Sequence, residues 1–208
     1  VSEAKELGVE VIAFGADITD ENEIKSFVEQ TIKHFDKIDI CVNNAAAGRI
    51  NTSPEETSIE EWKTVIDTNI TGMFILAREV GKHMIKRNKG KIINMSSISG
   101  FIVNKYFHGG SYDVSKAAVT HLTKALAAEW APYNITVNAL APGYYETEPN
   151  LDFFNERPDL RSKVLDMIPL GRFGDVKELA DLLVFLCTDA TNYMTGSVIK
   201  IDGGYTVW

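Results

Sequence analysis

No stretch of this chain approaches the roughly 18 consecutive apolar residues that a membrane-spanning helix requires, and no signal-peptide pattern opens it. A cytoplasmic protein with no membrane partner is the resulting expectation. Cysteine is scarce: Cys41 and Cys187 are the only two. They exclude a disulfide framework, and both lie in apolar stretches where a thiol packs as a small hydrophobe. The four histidines, His34, His83, His108 and His121, have no metal-ligand spacing, so no metal site is expected. Positive charge is in deficit, with 21 Lys and Arg against 29 Asp and Glu and a net charge of −8. That balance argues against nucleic acid or an anionic membrane surface as partner, because phosphate binding needs clustered basic residues. There is no repeat, no low-complexity segment and no shift in composition, so residues 1–208 read as a single domain.

What the chain does contain is alternation. Residues 9–14 read as a strand, and Asp20-x-x-Glu23 as a capping box opening a helix to about residue 35. Further strands are expected at 38–43, 91–95, 135–140 and 198–201. Between them lie a long helix at about 58–86 behind the box Ser58-x-x-Glu61, a helix at 112–130 ended by Pro132, and a helix at about 176–187. Strands alternating with helices predict an α/β fold with a parallel, doubly wound sheet.

The chemistry concentrates between Asn94 and Lys116. Tyr112 and Lys116 are four residues apart on a helix and share one face. A phenol titrates near pH 10, and a fixed cation close by favours its ionised form, as a general acid/base needs. Ser97 follows the strand at 91–95, where open α/β sheets place their ligands. The strand at 38–43 likewise ends in Asn43-Asn44-Ala45-Ala46, small and amide side chains that let a flat ligand approach. Asn69 lies on the long helix, and the strand at 135–140 ends in Ala141-Pro142-Gly143.

With these motifs, and with Asp202-Gly203-Gly204 near the end, the sequence resembles the short-chain dehydrogenase/reductase family over essentially its whole length. The resemblance implies a Rossmann-like, NAD- or NADP-dependent oxidoreductase acting on an alcohol/ketone pair by hydride transfer. It implies that Tyr112 moves the proton, that Ser97 holds the substrate oxygen, and that Lys116 binds the nicotinamide ribose and lowers the Tyr112 pKa. Asn69 would hold a relay water. Asp17, with Ile18 beside it, matches the position that contacts adenine. Asn44, Ala45, Pro142, Gly143 and Thr147 match further cofactor contacts, Thr147 at the carboxamide. The spacing from Ser97 to Tyr112 is about two residues longer than the family commonly shows, which leaves Ser99 a rival for the serine role and Ser96 a third option; the strand-end position favours Ser97. Asn-Asn-Ala-Ala stands where the family usually has Asn-Asn-Ala-Gly.

No glycine-rich phosphate turn precedes Asp17. Relative to the family, the first βαβ unit, which carries the NAD/NADP-selecting residue, has no counterpart in these residues. The expectation is an N-terminally incomplete domain whose remaining segment was disordered or cut away. Residues 144–171 are expected to form a substrate lid, with Ser99, His108, Tyr144 and Tyr145 as substrate contacts. Asn104 and Tyr106 are further hydroxyl partners, and Arg157, Arg161 and Arg172 are candidate carboxylate ligands. Ala-Pro-Gly-Tyr-Tyr-x-Thr is similar to gluconate 5-dehydrogenase-type members, which implies a sugar acid or polyol, with 3-oxoacyl-carrier-protein reductases close behind. An inactive relative serving as a binding or scaffold subunit is the alternative of another class. The family also implies a homodimer or homotetramer through the long helix and the Tyr112 helix.

Overall fold

Apolar runs at 40–43, 90–95, 135–142 and 198–201 build a sheet, of which the two central runs are buried on both faces. In the computed structural model, which describes residues 2–208, they become β1 (Ile40–Asn43), β2 (Gly90–Met95), β3 (Ile135–Pro142) and β4 (Val198–Ile201). The strands are parallel and lie in the order β1-β2-β3-β4. Ile92, Ile93, Val137, Ala139 and Leu140 are wholly buried, as strands covered on both faces must be.

The helices are α1 (Ser2–Glu6), α2 (Glu21–Phe35), α3 (Ile59–Ile66), α4 (Met73–Arg87), α5 (Gly110–Trp130), α6 (Glu148–Asn155), α7 (Pro158–Leu165) and α8 (Val176–Cys187). Val28 of α2, Val80 and Met84 of α4 and Leu126 of α5 pack on Ile92 and Val137 from one side. Leu179, Leu182, Leu183 and Leu186 of α8 pack on Ile93 and Leu140 from the other. This is the doubly wound arrangement, and at its carboxyl rim α6 and α7 build a separate aromatic cap around Phe154, Val164 and Ile168.

Three expectations change. Residues 9–14 are extended but form no strand. A strand exists through its ladder of hydrogen bonds, and β1, the edge strand among the described residues, pairs only with β2. Asp20 caps α2 by accepting from the amides of Asn22 and Glu23, but Glu23 accepts from the Asp17 amide rather than closing the box. Ser58 and Glu61 do form the full reciprocal box. The long helix at 58–86 is not continuous: Asp67–Gly72 is a π-helical segment between α3 and α4. Such segments recur at functional sites, and this one carries Asn69.

Register is fixed by polar groups as well as by burial. Asn43 stands opposite Asn94 and donates to its Oδ1 at 2.8 Å, and Asn94 donates to Thr123 Oγ1 of α5 at 3.0 Å. After β2 the chain turns through a short 3₁₀ segment, Ile98–Gly100. A Cβ at Gly100 would lie 2.7 Å from the Lys116 carbonyl oxygen, so only glycine lets this turn rest against α5. That contact brings Ser97 to the face of α5 that carries Tyr112 and Lys116.

Candidate active site

β2 ends at Met95, and its carbonyl accepts from Lys116 Nζ at 2.9 Å. Lys116 is 3% exposed, and its ammonium lies 5.6 Å from the centre of the Tyr112 ring. Burial depresses the Lys116 pKa to about 8. Tyr112 is half-buried, and its pKa is pushed above 10, chiefly by burial. A hydrogen bond from Ser97 and the charge of Arg49 pull it down, and Asp113 pushes it up. The phenol is therefore the proton-bearing form at neutral pH.

The rival serines separate by their partners. Ser99 Oγ accepts from Arg49 Nη2 at 2.9 Å and from Asn104 Nδ2 at 2.8 Å, and Ser96 is turned to Lys116 O and Thr120 Oγ1. Ser97 accepts from the Ser99 amide at 3.1 Å and lines the same cavity as the phenol.

Asn69 is wholly buried. Its Oδ1 accepts from the Ala47 amide at 2.7 Å, and its Nδ2 donates to Ser115 Oγ and Ala47 O. Asn69 thus spends both of its amide hydrogens within the protein. It clamps the loop that leaves β1. Asn44 and Ala45, on that loop, are exposed at the rim, as are Pro142 and Gly143 in part at the end of β3.

Beside Tyr112 lies a cavity of about 350 Å³. Ser97, Ser99, Tyr112, Gly143 and Tyr144 line it, and so do Asn104 and Pro149, Asn150, Phe153 and Phe154 of α6. Tyr144 donates to Asn104 Oδ1 at 3.0 Å and stacks on Phe173 with ring centres 5.9 Å apart.

Other expected contacts lie elsewhere. Tyr145 is buried with its hydroxyl on the Ile201 carbonyl, because the bridge from Tyr145 to Gly174 turns it toward β4. His108 is exposed and offers only its main chain inward, donating to Asn51 and accepting from Arg49. Arg157 and Arg161 cover the rings of Phe153 and Phe173, and Arg172 is paired with Glu178. None of the three arginines, nor Tyr106, lines the cavity. Thr147 is the N-cap residue of α6, outside the cavity lining. Asp17 accepts from the amide and hydroxyl of Thr19, which holds its pKa down; it lines a second cavity of about 570 Å³ against α3. Ile18 abuts the π segment at Gly72.

Sequence reasoning missed Arg49, Asn51, Phe107 and Asn150, all of which line the cavity. Arg49 is the chief omission. It sits 5.0 Å from the Tyr112 ring centre and bonds Asp113, Ser99 and the His108 carbonyl. The available signal was a lone cation in the loop that follows a strand ending in Asn-Asn-Ala.

A family model described as enoyl-(acyl carrier protein) reductase matches residues 1–206. Galactitol 2-dehydrogenase (L-tagatose-forming) of Cereibacter sphaeroides is 43% identical over 206 residues, 99% of this chain and 80% of that protein. The 3-oxoacyl-[acyl-carrier-protein] reductase of Thermotoga maritima is 39% identical, covering 100% and 82%. The 2-dehydro-3-deoxy-D-gluconate 5-dehydrogenase of Pseudoalteromonas atlantica is 37% identical, covering 98% and 79%. Among solved structures, gox2181 superposes with a TM-score of 0.96 at 33% identity, covering 100% of this chain and 80% of that one. ElxO with NADP bound superposes at 0.87 and 31%, covering 94% and 78%. The fold, the matched length and these relatives make the chain a member of the short-chain dehydrogenase/reductase family of NAD(P)-dependent oxidoreductases.

Proposed function

We propose that the protein interconverts a secondary alcohol and a ketone on a small polyhydroxylated molecule, a sugar acid or a polyol, with Tyr112, Ser97 and Lys116 as the catalytic group. One observation carries this reading: the Tyr112 phenol, faced by Ser97 and by the Lys116 ammonium, stands at a cavity walled by three amide side chains, Asn51, Asn104 and Asn150. Amides and a phenol suit hydroxyl groups, as both donors and acceptors. The polyol and sugar-acid dehydrogenases among the relatives support the same class.

The rim beside these groups fits the nicotinamide end of NAD or NADP. Ala45 and Ala46 are exposed with nothing beyond Cβ, which suits a flat ring, and Lys116 Nζ has two hydrogens beyond its bond to Met95 O. Asn44, Pro142, Gly143 and Thr147 are the further candidates for holding the group, with Asp17 and Ile18 toward its far end. A bound nicotinamide supplies or takes up the hydride.

The chain's own residues do the rest. In reduction, Ser97 and the protonated Tyr112 donate to the carbonyl oxygen, stabilising the charge that grows there, and Tyr112 gives up its proton. In oxidation the phenolate takes that proton back. Lys116 favours the phenolate by its charge. Because burial lifts the Tyr112 pKa, oxidation should accelerate as pH rises toward that pKa while reduction holds at neutral pH.

The test is steady-state kinetics with NADH and NADPH on ketoses and ketoaldonates. Tyr112→Phe should lower kcat by about 10²–10⁴-fold with the fold intact by circular dichroism; near-normal turnover in that variant would remove Tyr112 from the chemistry. A 3-oxoacyl-carrier-protein reductase is the second reading, favoured by the 39% identity to the Thermotoga maritima reductase. Acetoacetyl thioester reduction exceeding ketose reduction would select it. Cofactor binding without turnover of any of these would instead indicate a binding subunit.

A further inference from the structure

We infer that this cavity selects neutral polyols over their carboxylic acids, and that the Arg49–Asp113 pair is the selecting device. The inference rests on the oxidoreductase reading above and narrows its substrate.

Arg49 is the one charged side chain among the described residues that line the cavity. Taken alone, it would invite a carboxylate. It is not alone. Asp113 holds its Nη2, and the two side chains are 17% and 11% exposed. The cation at the wall is therefore matched by an anion directly behind it.

The donors matter more than the net charge. A guanidinium grips a carboxylate through two parallel N–H groups, and both of its forks use an Nη2–H, paired with either Nη1 or Nε. Nη2 has two hydrogens, and they go to Asp113 Oδ1 and Ser99 Oγ. One Nη1 hydrogen goes to the His108 carbonyl at 3.0 Å. What remains is one N–H on Nη1 and one on Nε, each a single donor suited to a hydroxyl. The rings of Tyr112 and Phe107, 5.0 and 5.9 Å from the guanidinium carbon, also confine it.

Asp113 cannot easily release its partner. Its Oδ2 is buried without a hydrogen bond, so Arg49 is its sole counter-charge among the described residues. It is also confined: a Cβ at Gly109 would overlap Oδ2. Drawing Arg49 to a substrate carboxylate would strand a buried anion, which is strongly unfavourable. The other free polar atoms on the wall are neutral. Asn51 Oδ1 accepts from the His108 amide and Asn150 Nδ2 donates to the Tyr145 carbonyl. That leaves Asn51 Nδ2 as a donor and Asn150 Oδ1 as an acceptor, both suited to hydroxyls.

The experiment compares a hexitol, galactitol, with an aldonate, D-gluconate, in wild type and in Asp113→Asn, which keeps the shape and removes the negative charge. Asp113→Ala, which frees an Nη2 hydrogen, is the second variant. Wild type should show the higher kcat/KM on galactitol. Each variant should raise the gluconate-to-galactitol ratio of kcat/KM by at least about tenfold, mainly through the KM for gluconate. A purely structural loss would lower both substrates together and leave the ratio in place. A wild type that prefers gluconate, or a ratio unmoved in both variants, would overturn the selection while leaving the oxidoreductase reading intact. Gluconate binding by calorimetry gives a second readout that needs no turnover: weak in wild type and at least about tenfold tighter in Asp113→Asn. Equal affinity in the two would also overturn the proposal. If neither substrate is turned over although nicotinamide cofactor binds, the polyol reading itself fails and takes this inference with it.

Discussion

Lys116 is a cation held inside the protein with one carbonyl, that of Met95, as its hydrogen-bonding partner. Burial lowers its pKa to about 8 from the ordinary lysine value of 10.5. Below pH 8 both the folded and the unfolded chain carry the proton, and the fold bears the full cost of burying it. Between 8 and 10.5 the folded state sheds the proton that the unfolded state keeps, so the cost fades as pH rises. Lys116→Met should therefore stabilise the fold at pH 7 by on the order of 1–3 kcal/mol in urea denaturation. The gain should shrink by pH 10, and hydride transfer should be lost. A destabilised variant at pH 7 would contradict the burial argument. Cys41, whose thiol burial pushes up to about 12, should stay unlabelled by alkylating reagents in the native protein. At this scale the sequence was readable where the partners were local: Tyr112 and Lys116 are one helical turn apart. It was not readable for Arg49 and Asp113, which meet across 64 residues of chain, because loop direction after β1 is set by Asn69 and not by any neighbouring residue.

The element that matters most here is the π segment. Strands 90–95 and 135–142 announced themselves by continuous apolar runs, and Ser58 with Glu61 by capping chemistry, since both signals lie within a few residues. The interruption at Asp67–Gly72 has no such signal: weak helix formers there do not specify a wider turn, and the tertiary bonds of Asn69 to Ala47 and Ser115 accompany it. Residues 9–14 failed for a related reason, since strand propensity without a ladder does not make a strand. Asn69→Ala should release the 45–51 loop and leave the sheet in place. The expected signature is faster amide exchange in that loop, with kcat/KM down by about tenfold or more. Unchanged exchange at Ala47 would mean that the loop is held by other contacts.

Considered as a whole, the molecule leaves apolar side chains on two helical surfaces. Phe74 of α4 and Val114 of α5 are 40% and 50% exposed, and Val184 and Phe185 of α8 are 64% and 51% exposed. Apolar exposure repeated along helices is what subunit contacts cover. A homodimer or homotetramer is the expected state, measurable as two or four times the protomer mass by light scattering at micromolar concentration. A single-protomer mass there would assign these faces to solvent. The widened helical turn bears on all of this through inheritance rather than energetics. An element made by an additional residue is one that the loss of a single codon can erase. Such a deletion would mend the helix into regular 3.6-residue turns and swing Asn69 about 100° around the axis, away from Ala47. The expected outcome is a chain that keeps its sheet and catalyses poorly, its loop after β1 no longer tied down.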